Sequence, residues 1–146
     1  MRLIGKPVKI LLVEDNIGDI GLIEEVFEEA KINNILHVAQ DGDEAMLYLH
    51  GEGKFSGSPR PDIIILDLNL PKKDGREVLR EIKEDEKLHN IPVIVLTTSS
   101  AENDVLEAYG LHANAYITKP FDFEQFIKIV GSIENFWLEI VKLPSE

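Results

Sequence analysis

The clearest absence in this sequence is that of cysteine. None occurs in 146 residues, so disulfide bonds and thiolate metal sites are excluded, and we expect a location in the reducing cytoplasm. The first apolar run is interrupted by Pro7 and Lys9, so we expect neither a signal peptide nor a membrane span. Acidic residues outnumber Lys and Arg by 27 to 15, and the formal net charge is −12. That charge argues against nucleic acid and anionic membranes as partners, because both bind basic surfaces.

The chain length is typical of a single domain, and apolar runs alternate with helical periodicity along it. Five strands are predicted, at 8–15, 35–40, 61–67, 91–100 and 114–121. Five helices are predicted, at 18–32, 41–51, 75–85, 101–110 and 122–137. The segment 51–60 is rich in Gly, Ser and Pro and predicts an extended surface loop. This alternation is typical of an α/β fold with a parallel sheet.

Polar side chains stand where the predicted strands end. The run at 63–66 is mostly β-branched, which predicts a strand buried on both faces, and it leads directly into Asp67. The other strand ends carry Glu14 and Asp15 (first strand), Thr97 (fourth) and Lys119 (fifth). Because the carboxyl ends of parallel strands share the sheet edge where ligands bind, we expect these side chains to lie together.

The chemistry of those side chains favours phosphoryl transfer to an aspartate. Three crowded carboxylates repel one another unless they share a cation, and oxygen donors without His or Cys suit Mg²⁺. Lys119 supplies an ammonium and Thr97 a hydroxyl, both suited to an anion beside the metal. Taken alone, Glu14 and Asp15 are also compatible with capping the first helix, and Asp67 with an Asx turn.

Four segments carry a resemblance to a known family. They are "VED" at 13–15, "LDLNLPKKDG" at 66–75, "VIVLTTS" at 93–99 and "AYITKPF" at 115–121. Together they resemble the marker segments of the CheY-like receiver domains of two-component response regulators. The resemblance implies a flavodoxin-like fold, a doubly wound, five-stranded parallel sheet in the order 2-1-3-4-5 flanked by five helices. It also implies a single receiver domain over 1–146, with a core at about 7–133 and a C-terminal aromatic extension at 134–146.

A narrower resemblance is to stand-alone regulators paired with phytochrome-type histidine kinases. It rests on "DLNLPKKDGREVL", the long loop 51–60, "YITKPFDFEQF" and the aromatic tail "ENFWLEIVKLP". It implies that a sensor histidine kinase of phytochrome type, or a phosphotransfer protein, donates the phosphoryl group, and it favours a homodimer. The segment after Pro120 is short, so we expect output through protein–protein interaction.

The family resemblance assigns the phosphoryl and metal sites residue by residue. Asp67 aligns with the phosphoacceptor. Asp15 aligns with a direct Mg²⁺ ligand and Glu14 with one that acts through water, while Asn69 would lend its backbone carbonyl. Such a receiver catalyses its own phosphorylation and dephosphorylation and does not turn over an external substrate.

The resemblance also assigns a phosphate-binding switch. Thr97 aligns with the switch hydroxyl and Lys119 with the phosphate-binding lysine. Tyr116 aligns with the aromatic that moves inward when the switch hydroxyl shifts. The resemblance further implies a cis peptide bond before Pro120.

Three accessory positions bear on dephosphorylation. Thr98 stands where the family more often has a small residue, and we expect it to narrow access to Asp67. Asn69 and Ser99 would flank the path of the hydrolytic water, and neither is a strong base. We therefore expect an acyl phosphate that lasts minutes or longer.

Two other functions fit part of this pattern. A degenerate receiver would only dock partners, and the intact set of Asp15, Asp67, Thr97 and Lys119 argues against it. An aspartyl-nucleophile phosphatase of the haloacid dehalogenase type also places an Asp after an apolar strand. It requires a second carboxylate two residues later, however, and this chain has Asn69 there.

Overall fold

The structure is a computed structural model that describes residues 7–29, 33–98, 110 and 113–129. Its strands are β1 (Val8–Val13), β2 (Asn34–Ala39), β3 (Ile63–Asp67), β4 (Val93–Thr97) and β5 (Ala115–Thr118). Its helices are α1 (Ile17–Glu29), α2 (Gly42–His50) and α3 (Gly75–Glu84), and residues 123–129 form the helical segment α4. The predicted helix at 101–110 lies outside the described residues except for Gly110. No helix in these described ranges is long and apolar enough to span a lipid bilayer.

All neighbouring strands in the sheet are parallel, and their order is β2-β1-β3-β4-β5. This confirms the strand order that the family resemblance implied. The register places Asp67 of β3 beside Leu96 of β4, and Thr97 of β4 beside Thr118 of β5. The carboxyl ends of β1, β3, β4 and β5 therefore form one row at a single edge of the sheet.

The sheet separates two hydrophobic cores, and the side chains of β1 alternate between them. Leu11 and Val13 contribute to the core that includes side chains of α2 and α3, whereas Ile10 and Leu12 contribute to the core that includes side chains of α1 and α4. The strand β3 is buried along its whole length, as its β-branched sequence predicts. Burial of each large apolar side chain contributes about 1.5–3 kcal/mol, so the central strands are a stable support for the residues at their ends.

The helix α1 begins at the same edge, and its cap is Asn16. The side-chain Oδ1 of Asn16 accepts a hydrogen bond from the Asp19 backbone N–H at 2.9 Å, and its carbonyl oxygen accepts one from Ile20. This is the hydrogen bonding of an N-cap residue. The interpretation of Glu14 and Asp15 as helix caps is therefore wrong.

The segment after α2 lies at the surface, as predicted, but one part of it is not extended. Gly51 ends α2 with a φ of 63°, and Gly53–Phe55 form a short 3₁₀ turn. Phe55 is buried, and its ring lies edge-on to those of Tyr48 and His37, with centroid distances of 5.3 Å. The prediction of a surface loop is confirmed, since the residues of 51–60 other than Phe55 are exposed or half-buried. The prediction of extended backbone is wrong at the 3₁₀ turn, where the aromatic side chain of Phe55 packs on an apolar surface of β2 and α2.

Candidate functional site

Four polar side chains are buried at the carboxyl edge of the sheet. Among the residues that the structure describes, the buried polar or charged ones are Glu14, Asp67, Thr97 and Lys119. All four are residues that the sequence predicts to meet at this edge. An unpaired buried charge costs several kcal/mol, so these groups require compensating contacts.

Lys119 supplies most of those contacts. Its Nζ donates to Oε1 of Glu14 at 2.6 Å, to Oδ2 of Asp19 at 2.9 Å and to Oδ2 of Asp67 at 3.2 Å. Its backbone N–H donates to the carbonyl oxygen of Thr97 at 2.7 Å. This hydrogen bond holds the backbone of Lys119 beside the end of β4. One ammonium thus joins three carboxylates: one directly after β1, one at the end of β3 and one in α1.

The two buried carboxylates are each held at their second oxygen as well. Oε2 of Glu14 accepts the backbone N–H of Asn16 at 3.2 Å. Oδ1 of Asp67 accepts the backbone N–H of Asn69 at 3.0 Å, which is the Asx-turn contact that the sequence allowed. That contact coexists with the Lys119 hydrogen bond, so the orientation of the Asp67 carboxylate is set from two sides.

The loop after Asp67 passes close to the backbone of this residue. The N–H of Gly75 donates to the Leu68 carbonyl oxygen at 3.1 Å. A Cβ at Gly75 would lie 2.3 Å from the carbonyl oxygen of Asp67, a distance that atoms do not tolerate, so only glycine leaves room for this approach. In the same loop, Lys72 has a φ of 63° and its ammonium lies 3.5 Å from a carboxylate oxygen of Asp41.

Glu14, Asp15 and Asp67 form an acidic triad. One carboxylate oxygen from each lies within 4.8 Å of the other two, which is close enough to share one cation. Asp15 is exposed, whereas the other two residues are buried, so the triad is open to solvent on one side. Carboxylate oxygens without His or Cys are the ligands that hard divalent cations prefer. The donor set therefore fits a divalent cation site.

The electrostatics of the site reflect this crowding. Burial raises the pKa of the Glu14 carboxyl to about 7, with the Asp67 carboxylate adding to the rise and Lys119 opposing it. Burial lowers the pKa of Lys119, but the hydrogen bonds to Glu14 and Asp19 and the charge of Asp67 outweigh it, so this pKa lies above its ordinary value of 10.5. Lys119 is therefore a permanent cation at neutral pH.

The predicted residues at the end of β4 are partly described. Thr97 is buried at the last position of the strand. The hydroxyl of Thr98 accepts a hydrogen bond from Nδ2 of Asn69 at 3.1 Å, which joins the ends of β4 and β3 on the solvent side. Ser99 lies outside the described residues.

The predicted residues on β5 and directly after it, Tyr116, Lys119 and Pro120, are all described. Tyr116 is half-buried, and its hydroxyl accepts a hydrogen bond from Oγ1 of Thr118 at 3.3 Å. The bond between Lys119 and Pro120 is cis, as the resemblance implied. The structure thus places Tyr116 on β5, and Lys119 and Pro120 directly after the end of that strand.

Comparison with protein families agrees with this geometry. The family model of the response regulator receiver domain matches residues 10–131. The chain belongs to this family. Response regulator Rcp1 from Synechocystis sp. is 51% identical to this receiver over 139 residues, which cover 95% of each chain.

Solved structures of phytochrome regulators match this receiver in fold and sequence. The phosphorylated cyanobacterial phytochrome response regulator RcpA is 52% identical, with a TM-score of 0.80 over 91% of this chain and 95% of its own. The Mn²⁺-bound form of Rcp1 is 51% identical, with a TM-score of 0.80 over 91% of this chain and 96% of its own. The receiver is thus similar to one protein that was solved phosphorylated and to one that was solved with a divalent cation.

Two contacts of this receiver were missed by the sequence reasoning. Asp19 contacts Lys119 at the centre of the site, and Asn69 is bonded to Thr98. A signal for the first was present, because a helix that follows β1 starts at the ligand-binding edge and Asp19 lies in its first turn. The second joins residues that are 29 positions apart, and no local pattern indicates it.

Proposed function

We propose that Asp67 of this receiver accepts a phosphoryl group from a phosphohistidine on a sensor histidine kinase or a phosphotransfer protein. The observation that carries the proposal is the position of the Asp67 carboxylate. Asp67 is 3% exposed at the sheet edge, and its carboxylate lies 3.2 Å from the Lys119 ammonium and belongs to the acidic triad. An Asp67 oxygen attacks phosphorus, the bond to the donor imidazole nitrogen breaks, and the imidazole leaves with a proton from solvent.

The proposed metal is Mg²⁺. Asp15 and Asp67 would bind it directly, Glu14 through water, and Asn69 through its backbone carbonyl. The acidic triad supports this assignment, as does the Mn²⁺ in the structure of Rcp1. A divalent cation held by these residues would neutralise charge on the phosphoryl oxygens. Replacing Asp15 with Ala should abolish divalent cation binding in a calorimetric titration, and retained affinity would contradict the assignment.

Lys119 and Thr97 are the proposed partners of the phosphoryl oxygens. Lys119 brings a permanent positive charge and Thr97 a hydroxyl donor, which suit an anion formed on Asp67. Tyr116 on the neighbouring strand would follow the shift of Thr97. The accessory positions Thr98, Ser99 and Pro120 would adjust access and switching. The receiver would catalyse its own phosphorylation and dephosphorylation, and hydrolysis would rely on positioning of the water.

The proposed donor is a phytochrome-type histidine kinase. The support is the similarity of this chain to RcpA, which is a phytochrome response regulator. We propose a cytoplasmic location, which the absence of cysteine favours. We also propose a stand-alone regulator, which the 95% coverage of Rcp1 supports. Its output would be a protein–protein interaction, and nucleic acid and membranes are not proposed as partners because of its net charge of −12.

We also propose that the protein forms a homodimer through the aromatic extension at 134–146. The extension lies outside the described residues, and the support comes from its apolar sequence "NFWLEIVKLP" and from the resemblance to phytochrome-linked regulators. Sedimentation of the full chain and of a version that ends at Glu134 tests this. We expect a dimer that is lost on truncation or in Trp137→Ala. If the full chain, the truncated chain and Trp137→Ala all sedimented as monomers, the homodimer would be refuted.

Phosphorylation with Mg²⁺ and either acetyl phosphate or a phosphohistidine donor tests the main proposal. We expect intact-mass measurement to show one added phosphoryl group on the native chain and on Asp43→Asn, a control on the exposed side of α2. Asp67→Asn should remain unlabelled. Undiminished labelling of Asp67→Asn would refute the assignment, and an unlabelled native chain would favour a receiver that only docks partners.

A further inference from the structure

Lys119 has one partner that the receiver chemistry described above does not use. Its ammonium carries three N–H donors, and it contacts three carboxylates, of Glu14, Asp67 and Asp19. The first two belong to the acidic triad. Asp19 belongs to α1 and lies outside that triad, and its side chain is 29% exposed, against 7% for Lys119.

A divalent cation in the triad changes the balance of these contacts. It attracts the carboxylates of Glu14 and Asp67, which are also the partners of Lys119, and it repels the ammonium at short range. Asp19 is then the one partner of the three that remains for the ammonium. We infer that Asp19 is a positioning residue that retains Lys119 beside Asp67 when a divalent cation binds. The inference rests on the proposed metal site.

The local structure holds Asp19 in position. The backbone N–H of Asp19 donates a hydrogen bond to Oδ1 of Asn16 at 2.9 Å. The next residue, Ile20, is buried in the core. The position of the carboxylate is therefore set by the capped first turn of α1. Because a negative charge stays next to Lys119, the free energy of bringing two cations into one site is lowered.

A double-mutant cycle separates positioning from a general effect of charge. Mn²⁺ affinity is measured by electron paramagnetic resonance, without a phosphodonor, for the native chain, Asp19→Asn, Lys119→Met and the double variant. We expect Asp19→Asn to weaken Mn²⁺ binding about threefold to tenfold. In the Lys119→Met background, the same substitution should change it by less than about twofold. The control Glu24→Gln, on an exposed position of α1, should bind Mn²⁺ like the native chain.

Two results of this cycle would overturn the inference. Equal losses in both backgrounds would show that Asp19 acts only through its own charge. An unchanged affinity of Asp19→Asn would show that it does not act on the metal site at all. Neither result depends on phosphorylation. The inference about Asp19 can therefore fail while Asp67 is still labelled, and labelling can fail while the double-mutant cycle still gives the expected Mn²⁺ affinities.

A second measurement keeps the inference testable if Lys119→Met does not fold. In Mg²⁺-saturated protein, the side-chain ammonium protons of Lys119 should exchange slowly with water and give a signal in nitrogen-15 NMR. We expect this signal to weaken in Asp19→Asn and to persist in Glu24→Gln. A signal that is unchanged in Asp19→Asn would refute the positioning role.

Discussion

Nζ of Lys119 lies 2.6 Å from Oε1 of Glu14, and the two side chains are 7% and 0% exposed. The pair joins the end of β5 to the end of β1, two strands that are not neighbours in the sheet. Their hydrogen bond therefore spans the row of strand ends, with Asp67 within reach of the same ammonium. The charges of the site are organised around this one lysine.

The first prediction concerns the stability of this arrangement. Lys119→Met leaves the buried carboxylates of Glu14 and Asp67 without their shared cation, and we expect it to lower the free energy of unfolding by about 3 kcal/mol in metal-free buffer. Mg²⁺ should restore part of the loss, because a cation in the triad neutralises the same carboxylates. Urea unfolding measures both effects. Lys128→Met, at an exposed position of α4, is the control and should unfold like the native chain.

The second prediction concerns the lifetime of the acyl phosphate. Thr98→Ala removes the hydroxyl that accepts the Asn69 side-chain amide, which frees that amide and opens the approach of water to Asp67. We expect the lifetime to shorten about threefold to fivefold, the effect of one neutral hydrogen bond. Mass measurement after removal of the donor gives the rate. Thr98→Ser keeps the hydroxyl and should match the native chain, so equal acceleration in both variants would contradict a role for this hydrogen bond.

The third prediction concerns the loop after β3. Gly75→Ala would place a Cβ 2.3 Å from the Asp67 carbonyl oxygen and 2.5 Å from the Leu68 Cα. Both are backbone atoms, so we expect a loss of about 2 kcal/mol in the free energy of unfolding, together with weaker divalent cation binding. Gly21→Ala is the matched control, since a Cβ there meets nothing within 4 Å. It should stabilise α1 by about 0.5–1 kcal/mol, and equal thermal midpoints for the two variants would contradict the prediction.

The fourth prediction concerns pH and His37. Its ring stacks on Tyr48 with a centroid distance of 4.2 Å and an interplanar angle of 14°. Burial lowers the pKa of His37 below its ordinary value of 6.5, with the charge of Lys54 adding to this and that of Glu44 opposing it. Below pH 6.5 the unfolded chain therefore binds the proton more readily than the native state, and the stability due to His37 is lost as pH falls.

Urea unfolding at about pH 5.5 and 7.5 tests this dependence. We expect His37→Phe, which keeps an aromatic ring in the stack, to lose less stability than the native chain between the higher and the lower pH. His89→Gln, at an exposed position, should keep the native dependence. If His37→Phe and the native chain lost equal stability on acidification, the lowered pKa of His37 would be disproved.

The sequence predicts the sheet and the main site residues for a simple physical reason. Parallel strands place their carboxyl ends at one edge, so a polar residue that ends an apolar run has its place set by topology alone. Asp67, Glu14, Thr97 and Lys119 follow this rule, and each lies buried in the row of strand ends. The family roles assigned to them remain predictions that labelling and metal titration can test, and the domain bounds also remain a prediction.

Only the tertiary structure decided the contacts that depend on how helices and loops pack. Asp19 meets Lys119 because burial of Ile20 and Ile23 sets the rotation of α1 about its axis, and periodicity does not say which first-turn residue then faces the site. Phe55 is buried because its ring packs edge-on against the ring of Tyr48. The Gly-rich composition of this segment predicts a loop but not that contact. Sequence by itself determined which residues stand at the strand ends, since that follows from chain order, whereas side-chain partners far apart in the chain were decided by packing in three dimensions.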